Sequence, residues 1–573
     1  MGNTANRKTI AIGMEDFKRI IEEDGYFVDK TLLIEKLIRN KAAVTLFTRP
    51  RRFGKTLNQF MLRRFFEDER TEKGEKIDNG HLFDGLAISK CGEEIRKHSQ
   101  QYPVIFLSLK SAKQPNYDMA YASLVDEISK EFKRHKYVLN NGVLSPTEKT
   151  DFVLICDKKA EPIAYAKALA FLSECLAKYH GRNTIILIDE YDVPLENAYF
   201  KGFYEEMIDF IRSLFESALK TNPYLERGVI TGCLRISKES IFTGLNNLEV
   251  QSIMGTNYPD CFGFTEPEVM EMAEYFGFAD KYPELREWYD GYCFGEDTEI
   301  YNPWSILSYL RTAEGSRKAL PRPYWSNTSS NDIVRGMVED ADDQTRKELE
   351  ILMNGGTIEK PVHEDITYGD IHASMNNLWN FLFFTGYLKK IGERLDGTNI
   401  FLTLAIPNLE IASVYTNSIY QWFGEKVSRL DTHALIEALE TGDCKTAEDF
   451  ISNQLMDTIS YYDYAKRYYH GFMTGLLTNA GGYRVLSNRE SGTGRPDIVL
   501  TEKKFMGRAI ILELKTSETF RDMEKKCEEG LAQIRARNYA QPLEDDGYRP
   551  ILSYAVCFFK KGCMVKATDN HRI

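Results

Sequence analysis

The feature that most constrains this chain is a junction. The short apolar run AAVTLFT (42–48) passes directly into TRPRRFGKTL (48–57), and LNQFMLRRFFEDE follows with apolar residues at helical spacing. Such a run suits a strand buried on both faces of a parallel sheet. Gly54-Lys55-Thr56 matches the end of G-x-x-x-x-G-K-[ST], a loop whose backbone N–H groups cradle phosphates at a helix N-terminus. Strand, loop, helix is the context that this motif needs. Arg49 stands where the opening glycine would be, and Arg51 and Arg52 make the stretch basic. Taken alone, a basic loop with an accidental Gly-Lys-Thr would read the same way.

Four more strand candidates follow, separated by helical stretches: PVIFLSL (103–109), TIILIDE (184–190), GVITGCL (228–234) and VQSIMG (250–255). This alternation predicts an α/β unit, a parallel sheet with helices on both faces. TIILIDE ends in Asp189 and Glu190, two carboxylates at the carboxyl edge of the sheet, where ligands collect. An ordinary capped strand can end so, but two motifs in the right order favour a nucleotide site. Arg52, Phe53, Gly54, Lys55 and Thr56 are then the phosphate-cradling candidates. Lys55 would neutralise β/γ-phosphate charge and Thr56 would hold Mg²⁺. Asp189 would hold that ion through water, and Glu190 would orient or deprotonate the attacking water. Thr231 is a candidate γ-phosphate sensor or a core-facing threonine. Arg235 and Lys238 are candidate trans-acting fingers, and a solvated face accounts for them equally well. With Pro50 rigidifying the turn, Arg49 is expected to serve only that turn, so glycine there should be mild.

A chain of 573 residues exceeds the ~250–300 at which single cores stop growing, so several domains are expected. Hydrophobic content of 43% and charged content of 28% are those of a soluble globular protein. The start, MGNTANRKTIAIG, has no apolar signal-peptide core, and Asn6 weakens a myristoylation reading. No stretch approaches the ~18 apolar residues of a membrane span. Ten scattered cysteines without a CxxC pair fit a reduced, cytoplasmic protein with no disulfide or zinc site. Beyond GFTEPEVMEMAEYF the pattern is mainly helical to about residue 410. Within it, NNLWNFLFFTGYLKKIGE and NIFLTLAIPN read as a helix and hairpin of winged-helix type. The expected domains are 1–265 for the nucleotide, 266–410 for a helical lid and winged-helix region, 411–450 for a helical connector, and 451–573 for a further α/β domain.

That last domain begins with a Tyr-rich helix (459–478) and continues with strands at YRVLSN, PDIVLT, AIILELK and SYAVCFF. Asp497 precedes Glu513 and Lys515, and period two puts the last two on one face of their strand. Two carboxylates on adjacent strands can hold Mg²⁺ or Mn²⁺ near a scissile phosphate, and a cation beside them positions the nucleophilic water. Glu490 is a candidate for a further ligand or for holding a second metal. Glu-x-Lys alone is weak, since Glu131-Phe132-Lys133 also matches; the apolar strand and the Gly-Arg-Pro-Asp stretch upstream distinguish this copy. Gln533 and Tyr539 are candidate DNA-backbone contacts or plain surface residues. The net charge is −12, yet residues 451–573 hold 19 Lys and Arg against 15 Asp and Glu. A mildly basic tail on an acidic body points to different partners for the two parts.

Taken together, IGMEDFKRII, YFVDKTLLI, TRPRRFGKT, ILIDEYDVP, ITGCLRISKESIFTGLNN, FGFTEPEV, YDGYCFG with YNPWSIL, YHGFMTGLL, SNRESGTGRPDIVL and ILELK span nearly the whole chain. They resemble the bacterial family that joins an AAA-ATPase-like domain to a C-terminal PD-(D/E)xK nuclease-superfamily domain. That family's own loop resembles RPRRFGK[ST], so Arg49 is no departure from it. The resemblance implies that Lys55, Thr56, Asp189 and Glu190 carry ATP and Mg²⁺, while Asp497, Glu513 and Lys515 carry nuclease chemistry. Asp29 and Lys30 fall in its Asp-Lys-Thr motif, whose role the sequence does not explain. The leading expectation is an ATP-controlled, metal-dependent DNA nuclease, for which a homo-oligomer is a candidate assembly. An ATP-driven switch whose tail only binds nucleic acid or a partner is the alternative; a tail that acts on RNA is a third reading.

Overall fold

The computed structural model describes residues 7–220, 222–235, 242, 247–325, 334, 336–337, 341–364, 374–428, 431–456, 466–478, 481–487, 496–504 and 506–568. The chain divides into two compact units. One is Met1–Ser330 with Thr357–Ala412, and the other is Asn331–Gly356 with Ser413–Ile573. Each is therefore built from two separate stretches of sequence.

The first unit is organised by five parallel strands: β1 (Val44–Thr48), β2 (Val104–Ser108), β3 (Thr184–Asp189), β4 (Leu225–Gly232) and β5 (Leu248–Gln251). Their order in the sheet is β2-β3-β4-β1-β5. Every residue of β1 and β3 is buried, as strands covered on both faces require. Phe47, Val104, Leu187 and Val229 meet Met61, Leu62 and Phe65 of the Lys55–Phe66 helix in one core. The crossover topology inserts β4 between β1 and β3. It pairs Phe47 with Thr231 and Ile188 with Ile230, so Thr231 comes to stand beside the end of β3.

Beyond this sheet lie three short antiparallel strands, β6 (Phe264–Thr265), β7 (Tyr292–Phe294) and β8 (Thr298–Tyr301), in the order β6-β8-β7. Sequence periodicity reads this region as helical, because strands of two to four residues are too short to display alternation. The Glu266–Tyr275 and Pro303–Gly315 helices flank them; buried Asn302 caps the second by accepting from the backbone N–H groups of Trp304 and Ser305. A three-stranded antiparallel sheet follows: β9 (Ile358–Val362), β10 (Lys389–Asp396) and β11 (Asn399–Ala405), in the order β10-β11-β9. The Met375–Phe384 helix and the β10–β11 hairpin are the expected helix and hairpin, with β9 added on the far edge.

The second unit carries β12 (Tyr483–Ser487), β13 (Ile498–Glu502), β14 (Ala509–Thr516), β15 (Ile551–Phe559) and β16 (Gly562–Ala567), side by side in that order. Only β14 and β15 are parallel, and the Met523–Ala536 helix makes the crossover that such a pair needs. One face of the sheet packs on Leu435, Leu439 and Ile451 of the helices His433–Thr441 and Cys444–Met456. Much of the segment expected to be a connector thus supplies core to this unit. All ten cysteines are free thiols, and no helix among the described residues is long and apolar enough to cross a membrane.

Candidate functional site

The sequence-predicted loop sits at the carboxyl edge of the first sheet, and its helix opens at Gly54 with φ +83°, a left-handed conformation that glycine adopts without penalty. Arg52 and Glu190 also have left-handed backbone, φ +69° and +53°. Non-glycine residues rarely do so, and here both occur at the site. Lys55 is buried, and its ammonium donates to the carbonyls of Arg49 and Pro50, each at 2.9 Å. Thr56 Oγ1 donates to Asp189 Oδ2 at 2.8 Å, and Thr231 Oγ1 donates to Asp189 Oδ1 at 2.6 Å. Burial pushes the Asp189 carboxyl up to about 6, against the pull of those two hydroxyls. Hydroxyl and carboxylate oxygens so close together form the hard-donor set that suits Mg²⁺.

A cavity of about 320 Å³ opens over the loop. Gly54, Lys55, Thr56, Glu190 and Asp192 line it on the sheet side, and Met14, Phe27, Val28, Trp304 and Leu307 give it apolar walls. Its size is that of a small-molecule site. Thr231 lies behind Asp189 and does not line the cavity, whereas Arg52 does, with its guanidinium over the Trp304 ring. Phe53 is wholly buried: its ring packs against Tyr292 and Phe294, and its carbonyl accepts from Gly263 N at 3.0 Å. Arg235 forms an ion pair with Glu364 at 3.6 Å and is not among the lining residues. Lys238 lies outside the described residues.

Arg49 does far more than serve a turn. It is wholly buried, with Nη1 donating to the carbonyls of Thr48 and Gln251 at 2.8 and 2.7 Å and Nη2 donating to Tyr258 O at 3.1 Å. Phe262 and Phe294 face its guanidinium. The arginine pins the loop to β5 and to the segment beyond it, so the expectation that glycine would be mild there does not fit the structure.

Several supporting residues escaped sequence reasoning. Asp192 is buried; its Oδ2 accepts from Cys233 N and Leu234 N, and its Oδ1 has no hydrogen-bond partner among the described residues. Burial pushes its carboxyl up to about 6. Gly232 is required beside it, since a Cβ there would come within 2.9 Å of Tyr191 and Asp192 side-chain atoms. The Asp-Lys-Thr motif now has a role. Asp29 binds Thr31 N and Oγ1 and Ala87 N, and Lys30 binds Glu268 on the Glu266–Tyr275 helix at 2.6 Å. It fastens the chain start, which forms one cavity wall, to two sequence-distant segments. Glu410, also buried, accepts from Ser305 Oγ and Trp325 N, both at 2.7 Å, and the Trp325 indole donates to Arg51 O in the loop. Burial pushes the Glu410 carboxyl up to about 7.

In the second unit, Asp497 lies just ahead of β13, and its Oδ2 accepts from Leu514 N on β14 at 2.8 Å. That bond brings its carboxylate beside Glu513, which is wholly buried. Lys515 Nζ donates to Glu513 Oε1 at 3.1 Å and to Gln533 Oε1 at 2.6 Å. The three expected residues therefore converge at one end of β13–β14, two carboxylates and a cation that together can hold a divalent ion and orient water. Among the described residues no three His, Cys, Asp or Glu side chains are grouped to hold a metal, and Glu490 lies outside them. Gln533 faces Lys515, and Tyr539 is buried behind it with its hydroxyl 3.3 Å from Gln533 Nε2. Their contacts are with the site's lysine and the core. His470 Nε2 lies 3.0 Å from the Asp497 carbonyl, a support that the sequence did not reveal.

Comparison with known proteins agrees with both halves. The family described as "Predicted AAA-ATPase" matches residues 11–242, and the PD-(D/E)XK nuclease superfamily matches residues 465–568. A relative from Azotobacter chroococcum mcd 1, described as an uncharacterized protein in the vnfD 5' region, is 24% identical over 563 residues, covering 93% of each chain. The chain therefore joins an AAA-ATPase-like domain to a PD-(D/E)XK nuclease-superfamily domain.

Proposed function

We propose that the protein binds ATP with Mg²⁺ through its first unit, hydrolyses it, and uses the nucleotide state to control metal-dependent cleavage of DNA by its second unit. The observation that carries this reading is the presence on one chain of two acid-and-cation sites, each gathered from separate strands. In the first, loop N–H groups and Lys55 hold the phosphates, Thr56 and Asp189 hold the ion, and Glu190 takes a proton from the attacking water. In the second, Asp497 and Glu513 hold a divalent ion, and Lys515, steadied by Gln533, orients the water that attacks the phosphodiester. Bound Mg²⁺, or Mn²⁺ in the second site, would supply Lewis acidity at the phosphoryl oxygens. The mildly basic balance of residues 451–573 supports a polyanionic partner for this end of the chain.

The test is a cleavage assay on plasmid, linear DNA, single-stranded DNA and RNA, with and without divalent metal and ATP. It compares wild type, Lys55→Ala and Asp497→Ala. Asp497→Ala should lose cleavage and keep ATP hydrolysis. Lys55→Ala should lose hydrolysis and change the cleavage rate. Cleavage that survives Asp497→Ala would remove the nuclease assignment. Intact ATP hydrolysis with no cleavage of any substrate would favour the switch reading, and cleavage confined to RNA would change the substrate.

A further inference from the structure

Phosphoryl transfer builds charge on the γ-oxygens, and a cation additional to the loop lysine and the metal stabilises that charge further. Arg235 follows the sensor-strand position, but it is held by Glu364 and does not reach the cavity wall. Among the described residues the cavity has six cationic lining side chains: Lys30, Arg51, Arg52, Lys55, Lys110 and Lys113. Lys30 is committed to Glu268, Arg51 to Glu196, Lys110 to Glu15, and Arg52 lies over Trp304. Lys55 belongs to the loop. Lys113 has no ion-pair or hydrogen-bond partner among the described residues.

Its backbone is well placed. β2 lies next to β3, Ser108 pairs with Asp189, and Leu109 N donates to Asp189 O at 3.0 Å. The segment after β2 therefore leaves the sheet beside the Asp189–Glu190 end. Asn197 Nδ2, on the Val193–Lys201 helix that follows Glu190, donates to Gln114 O at 2.5 Å and fastens the residue next to Lys113. A flexible four-carbon stem on an anchored backbone can then reach across the cavity.

Resting on the nucleotide reading above, we infer that Lys113 is the second phosphate cation, supplied in cis, and that it meets the terminal phosphate of a nucleoside triphosphate from the side opposite Lys55. Water adds to the γ-phosphorus while the bond from that phosphorus to the β–γ bridging oxygen breaks. The water proton passes to Glu190, and nucleoside diphosphate and inorganic phosphate leave. Lys113 neutralises charge on the γ-oxygens during this step and touches nothing in the diphosphate.

The experiment compares full-length wild type, Lys113→Ala, Lys113→Gln and Lys113→Arg. It reads steady-state ATP hydrolysis and the affinities for Mg-ATP and Mg-ADP. Lys113→Ala and Lys113→Gln should lower kcat by about 10³-fold, the lower end of what a phosphate finger contributes. They should also erase most of the preference for Mg-ATP over Mg-ADP, leaving Mg-ADP affinity within about twofold. Lys113→Arg should recover much of the rate, which a merely structural lysine would not require. If Lys113→Ala fails to fold, Lys113→Gln is read in the same way. A folded Lys113 variant with kcat within about threefold of wild type and an unchanged ATP-over-ADP preference would overturn this inference alone. Wild type that binds no Mg-ATP would overturn the nucleotide reading and this one with it.

Discussion

The two sites solve opposite problems with similar residues. In the first unit, acid and cation are kept apart: Lys55 rests on two backbone carbonyls and Asp189 on two hydroxyls. In the second, they rest on each other, Lys515 directly on Glu513. Neutral dipoles can be exchanged for a ligand that brings both an anion and a cation, which is what a nucleotide with its metal does. In the second, a cation fixed on Glu513 Oε1 competes with a metal for that carboxylate oxygen. If the proposed function holds, the first arrangement suits a ligand that carries both charges, and the second sets a lysine against its own metal ligand.

The sharpest way to break this comparison is to alter the group expected to move a proton in the first site without touching those that bind. Glu190→Gln should slow ATP hydrolysis by about 10²–10⁴-fold, the usual contribution of a general base, with Mg-ATP affinity nearly unchanged in a titration. The matching test in the second site is Lys515→Met. Cleavage should fall by about 10²–10³-fold, the typical loss when one electrostatic donor is removed. Calorimetric Mn²⁺ affinity should nevertheless rise, because Glu513 no longer faces a fixed cation. Affinity that falls along with the rate would mean that the ion pair is not a restraint.

Two smaller effects probe how the first site is held. Arg49→Gly should cost about 3 kcal/mol or more in denaturant unfolding, since it strips buried carbonyls of their donor and leaves a void. Stability near wild type would return Arg49 to the role of a simple turn residue. Glu410 makes the smallest prediction, in pH. Its carboxyl stands at about 7 in the folded protein, above the ordinary carboxylate range. Between the two values the folded state holds more protons than the unfolded state, so stability declines as pH rises through that window. The melting temperature should drop by a few degrees from about pH 5 to about pH 8, and Glu410→Gln should flatten that slope.

What the sequence made legible is what lies on single continuous stretches. Gly54-Lys55-Thr56, Asp189-Glu190 and Glu513-x-Lys515 each sit at the end of one apolar strand, and period and composition expose them. Arg49, Asp192, Glu410 and the Asp29–Lys30 pair could not be interpreted in the same way. Their partners lie far along the chain, Gln251 for Arg49 and Ser305 for Glu410, and a bond between distant residues leaves no periodic trace. The same holds for Gln533, whose partner Lys515 is fixed only once β14 and β15 pair in parallel across the intervening helix.

The division of the chain has a practical corollary for anyone wishing to separate the two units. The second unit draws on Asn331–Gly356 as well as on everything from Ser413 onward, and Glu350 from the first piece lies 3.5 Å from Lys561 in the second. No single cut releases it whole. A fragment beginning at 451 would lose Leu435, Leu439 and Ala447 from the core that the sheet shares with its helices, and would leave apolar side chains of that core without cover. Silence from such a fragment would report a severed core. Here the gene's linear order is a poor guide to what can be cloned apart.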